Sequence, residues 1–167
     1  MEYLFLLSIT GLAVINDIWR GKIPNALVIA GLCIGGCWQF SYRGVSGILQ
    51  FLGGSILPLL LLAVLYYFRM LGAGDIKLFS VIGGFLGVSA ILQCIAIAFL
   101  AGAIISTILM IRRRILSKRL QYFLAYTRNY FQTKKWKPYR NEMEKESHVY
   151  FSIPIFISVI LYVGGIY

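Results

Sequence analysis

Acidic side chains are scarce in this chain: there are 6 among 167 residues, and only Asp17 and Asp75 are aspartates. There is one histidine, His148, and no two cysteines stand in a CxxC spacing. The three cysteines, Cys33, Cys37 and Cys94, fall inside apolar segments, which argues against a zinc site or a disulfide framework and predicts buried structural roles. Charged residues are only 13% of the chain, well below the quarter or so usual in soluble domains. In their place stand hydrophobic residues, 59% of the chain, with a mean hydropathy of +0.80. A chain of this composition belongs in a bilayer.

Charges divide the sequence into apolar runs at about 3–18, 24–41, 45–68, 78–111 and 149–166. The first begins near Glu2 without a basic flank and ends in Asn16 and Asp17, so it is expected to be a retained helix and not a cleaved signal. The fourth run would make an unbroken helix of roughly 50 Å, far longer than a hydrocarbon core of roughly 30 Å needs. A break near "GGFLGVS", Gly83 to Ser89, turns it into a short helix followed by a full one. The break gives six spans, and then Arg20, Lys22, Arg69, Lys77 and the 11 basic residues of 112–145 share one side, leaving only Arg43 on the other. By the positive-inside rule this predicts six transmembrane helices, an all-α polytopic fold with both termini outside and the basic loops in the cytoplasm. Trp19, Trp38 and the Tyr66, Tyr67, Phe68 cluster fall near span ends, and Pro24 suits the first turn of the second span.

The whole chain, 1–167, reads as one integral-membrane domain. Within it 112–147 is an extended polar stretch, with 11 basic and 3 acidic residues and aromatics interleaved. It is expected to be a cytoplasmic loop, amphipathic and adhering to anionic headgroups, since topology accounts for its charge more simply than nucleic acid does.

Four glutamates are terminal or in that loop, so Asp17 and Asp75 are the two acids left to explain. The topology puts both at the cytoplasmic ends of spans, at one depth, where an ionisable group is costly and points to function. Singly, Asp17 could pair with Arg20 or Lys22, and Asp75 could cap a helix. Together they have the makings of an aspartyl dyad, in which one carboxyl stays protonated and the other charged, and neither metal nor cofactor is needed. Gly72 and Gly74, without Cβ atoms, would let backbone or an extended substrate come close beside Asp75.

With "GAGDIKL" at 72–78, "DIWRGKIPN" at 17–25, "IGGFLG" at 82–87 and "SIPIFISVILYVGG" at 152–165, the sequence resembles the type IV prepilin peptidases, membrane GxGD aspartyl proteases. The resemblance implies that Asp17 and Asp75 are the catalytic pair. Gly72, Gly74, Lys77, Pro24 and Asn25 match motif positions that shape the site. It implies cleavage of a basic leader from a prepilin or pseudopilin precursor, on the cytoplasmic face of a prokaryotic plasma membrane, just after a glycine and before a hydrophobic helix. Larger members of that family carry an extra domain with paired CxxC motifs that methylates the new N-terminus. That domain has no counterpart here, so cleavage without N-methyltransferase activity is expected. The competing classes are a small proton- or cation-coupled transporter and a non-catalytic membrane scaffold. Against the first, no acid or histidine lies deeper in the membrane to continue a relay.

Overall fold

The computed structural model describes residues 2–112 and 150–165, all of whose regular structure is helical. Among the described residues there are five helices: α1 (Glu2–Arg20), α2 (Asn25–Tyr67), α3 (Ala73–Leu86), α4 (Val88–Arg112) and α5 (Ser152–Val163). The chain divides into two compact units, 1–102 with 150–167 and 103–149. The helix packing and the site described below belong to the first. The expected amphipathic loop, 112–147, lies outside the described residues apart from Arg112.

Three of the helices, α1, α2 and α4, are long and apolar enough to cross a membrane. At 43 residues α2 would run about 65 Å if straight, twice what a hydrocarbon core needs. It is not straight. Gly44 adopts φ 59° and ψ −139°, a conformation closed to residues with a Cβ, and breaks α2 into two pieces. The pieces fold back on each other, since Gly35 and Gly36 lie against the Phe51 ring and Arg43 Nη1 donates to Gln50 Oε1 at 2.7 Å.

The expected interruption of the long run 78–111 falls at Gly87, which has φ 84° and separates α3 from α4. The break arises because a left-handed residue cannot continue a right-handed helix, and glycine makes it nearly free of strain.

Past Asp75 and Lys77 near its start, the short α3 carries no charge and is buried without a break from Leu78 to Phe85, and it is accordingly the central helix. Glycines let its neighbours approach. Gly31 receives the Val81 side chain, Gly84 receives Phe51, and the backbones of Gly54 and Gly83 meet with no room for a Cβ on either. Without a hydrophobic driving force in lipid, such close van der Waals packing is what holds helices together.

Helix α5 runs antiparallel to α1. Tyr162 meets Tyr3 with ring centroids 6.5 Å apart, Phe156 lies over Gly11, and Ser152 reaches Asp17. Its buried Ile155, Ser158 and Val159 fall at helical spacing and join Leu6, Ile9 and Ala13 of α1 in the core.

Of the cysteines, only Cys94 is buried. Cys33 and Cys37, four residues apart on α2, are exposed, which corrects the expected burial of all three. Their spacing puts them on one helix face directed away from α3, where an apolar thiol suits hydrocarbon as well as a core.

Candidate active site

The site is assembled from three helix ends. Helix α1 stops at Gly21, whose φ of 62° is the left-handed cap conformation and whose N–H donates to the Asp17 carbonyl at 2.8 Å. That cap turns the chain back immediately after Asp17, so the carboxyl group sits in the last turn of α1 with the 21–24 loop beside it. Pro24 then adopts an extended conformation, φ −64° and ψ 134°, and N-caps α2. It stands one position before the helix and not in its first turn as expected, because its carbonyl accepts the opening bonds of α2 from Leu27 and Val28.

On the facing side, Gly72 is the N-cap of α3, which places Asp75 third in the helix. The capping role considered for Asp75 therefore belongs to Gly72. Asp75 instead accepts a hydrogen bond from the backbone N–H of Gly72, half of a capping box. This contact explains the first glycine of the motif, because a Cβ on Gly72 would stand 3.0 Å from Asp75 Oδ2. The second has a different reason. A Cβ on Gly74 would meet Ile23, at 3.3 Å from its Cβ and 3.4 Å from Cγ1 and Cδ1.

Ile23 thus presses the loop after Asp17 onto the turn before Asp75. A second tie joins the same two segments, since Lys77 Nζ donates to Asn25 Oδ1 at 2.9 Å. Lys77 is not simply an interfacial cation reaching for water: its ammonium group has a defined partner in the other motif.

Asp17, Pro24, Asn25, Gly72, Gly74, Asp75 and Lys77, distant in sequence, all line one cleft of about 540 Å³, completed by Gly21, Lys22, Ile23 and Ala73. Asp75 precedes the uncharged run that starts at Leu78. Burial, and secondly the charge of Asp17, push its carboxyl up to about 6, against the opposing effect of the Gly72 N–H. Among the described residues Asp17 forms no ion pair with Arg20 or Lys22. Its Oδ2 accepts a hydrogen bond from Ser152 Oγ at 2.6 Å.

The family model of the type IV leader peptidases matches residues 4–107, more than half of the chain. The chain belongs to that family. It is a membrane protease of the leader-peptidase type, and the family implies a prepilin-type protein substrate. No curated protein and no solved structure matches it. The matched stretch of this leader peptidase contains both aspartate motifs and stops well before α5.

Sequence reasoning missed two neighbours of the site. Ile23 lies inside the 17–25 motif, but its closeness to Gly74 has no signature in either motif. Ser152 carried a faint signal, as a polar residue opening an otherwise apolar span, but its partner lies 135 residues away.

Proposed function

We propose that this leader peptidase is an aspartic endopeptidase in which Asp17 and Asp75 activate water. The observation that carries the reading is that the chain's only two aspartates line one cleft, with Asp75 pushed up to about 6. A carboxyl that keeps its proton to higher pH, lining a cleft with a second carboxyl, is suited to the role of acid. Asp17 is the base and Asp75 the acid.

Asp17 takes a proton from a water as its oxygen attacks the peptide carbonyl, and Asp75 donates its proton to the carbonyl oxygen. The tetrahedral diol then collapses. Asp17 returns its proton to the departing nitrogen, Asp75 recovers one from a hydroxyl of the diol, and the C–N bond breaks with both carboxyls restored. Lys77, Asn25, Pro24, Gly72 and Gly74 shape the cleft and hold the two motifs at a fixed separation.

The substrate is a prepilin or pseudopilin precursor whose basic leader is removed after a glycine, at the boundary of its hydrophobic helix. The chain is a single domain with six spans in a prokaryotic plasma membrane: α1, the two pieces of α2, α3 from Leu78 onward, α4 and α5. Both termini lie outside, and the cleft faces the cytoplasm. The cleft's position at the ends of α1 and α3, beside Arg20, Lys22, Arg69 and Lys77, supports that orientation. The basic 112–147 loop adheres to anionic headgroups.

The test is cleavage of a prepilin-type precursor by purified protein in lipid, followed by mass. Asp17→Asn and Asp75→Asn should each lose about 100-fold or more in kcat, the scale of a missing general acid or base, while folding normally. A folded variant of either kind that cuts at the wild-type rate refutes the dyad.

A further inference from the structure

A hydroxyl in an apolar helix usually bonds back to a carbonyl one turn earlier. Ser8, Thr10, Ser80 and Thr107 all do so here, to Leu4, Leu6, Ile76 and Ala103. Ser152, the first residue of α5, makes a different contact. It is also completely buried, so an unmade hydrogen bond would be expensive. Its hydroxyl is instead satisfied across the bundle, by Asp17 Oδ2 at 2.6 Å.

The position of Ser152 is itself secured from below. The adjoining Phe151 packs against Phe99 of α4 and Phe79 of α3, with ring centroids 5.3 and 6.5 Å apart. Phe79 is four residues after Asp75 and therefore near the same face of α3. Gly102 makes room for this arrangement, since a Cβ there would stand 2.9 Å from the Phe151 ring. Two consecutive residues thus tie α5 to both aspartate-bearing helices, Phe151 by packing and Ser152 by its hydroxyl.

We infer that Ser152 is a positioning residue for hydrolysis, locking the Asp17 carboxylate in one orientation and reserving Oδ1 to receive the proton of water. The inference rests on the aspartyl-dyad reading above. Asp17 sits in the last turn of α1, beside the open cleft, where a short carboxylate has several rotamers available. A donor on Oδ2 selects one of them, and the N-terminus of α5 adds a favourable field for the negative charge. Ser152 itself is completely buried outside the cleft lining and acts through Asp17.

The experiment uses the full chain in lipid with a prepilin-type precursor. Hydrogen bonds to charged groups are strong enough that Ser152→Ala should lower kcat about 10- to 100-fold. KM should stay within about 2-fold, and Ser152→Thr, which keeps the hydroxyl, should recover most of the rate. A thermal double-mutant cycle with Asp17→Ala reports the contact without any need for turnover. Ser152→Ala should lower the unfolding midpoint of the wild type but leave that of Asp17→Ala unchanged or raised, because there the hydroxyl is already unsatisfied. Wild-type kcat in Ser152→Ala, or a lowered kcat with no coupling to Asp17, overturns the inference while precursor cleavage by the wild type stands. A wild type that cuts no precursor overturns the peptidase reading first, and this inference with it.

Discussion

Replacing Asp75 with asparagine should make the protein more stable above pH 6 while destroying its activity. The carboxyl is pushed from its ordinary 3.8 up to about 6, chiefly by burial. In an acid so shifted, the folded state binds the proton more tightly than the unfolded chain. The favourable contribution is therefore complete below pH 3.8 and is lost as pH rises through about 6. Above that, the ionised group costs the fold on the order of 3 kcal/mol relative to its neutral form. Asparagine is neutral at every pH, has nearly the same shape, and still offers an oxygen to the Gly72 N–H.

At pH 8 Asp75→Asn should thus unfold several degrees above the wild type in the same detergent or lipid. The gap should narrow as pH falls through 6 and close near pH 4. The assay is a set of thermal unfolding midpoints for the two proteins at matched pH values. If Asp75→Asn is less stable than the wild type at pH 8, or if the gap does not change with pH, the carboxylate is a favourable anchor for the start of α3. The argument for a strained acid then fails. Stability gained where function is lost is the usual mark of a group retained for chemistry.

The core and the cleft make separate predictions. Because the backbones of Gly54 and Gly83 meet without room for a Cβ, Gly83→Leu should separate α2 from α3 at a cost of about 3 kcal/mol or more. It should show as loss of folded, monodisperse protein after extraction, and a normally folded Gly83→Leu would refute the packing. Lys77→Met and Asn25→Ala should each raise KM or lower kcat by about 3- to 10-fold, since either loses one charge-assisted hydrogen bond. The double variant should be no worse than the poorer single one, and additive losses would mean that the two side chains act independently.

The break at Gly87 could be placed in the sequence because charge asymmetry between the two sides constrained it. An unbroken helix over 78–111 would have put Lys77 and the Arg112 cluster on opposite faces. Both aspartates stood out for an equally simple reason, their rarity in a chain that otherwise avoids acids outside its polar segments. The reasons for the motif glycines were only half legible. An open approach to Asp75 could be anticipated for both, but that Gly72 leaves space for the Asp75 carboxylate depends on the cap at the start of α3, and that Gly74 leaves space for Ile23 depends on how the loop at 21–24 lies. The expected burial of Cys33 and Cys37 failed because hydropathy does not distinguish a helix face turned to lipid from one turned to the core.

By itself, the sequence determined that the chain is helical and membrane-embedded, and it singled out Asp17 and Asp75 as the acids to which a chemical role is proposed. Hydrophobic run length, charge placement and the scarcity of acids are local properties, readable without knowing any contact. The tertiary structure alone decided that α3 is the central helix and that Lys77 is tied to Asn25. It likewise determined that Asp17 is held by a serine in the final helix. These depend on which helix faces meet, and that follows from glycine-mediated close packing between segments far apart in the chain. The folded protein brings Ser152 to 2.6 Å from Asp17 because α5 runs antiparallel along α1, and only that packing closes the gap of 135 residues.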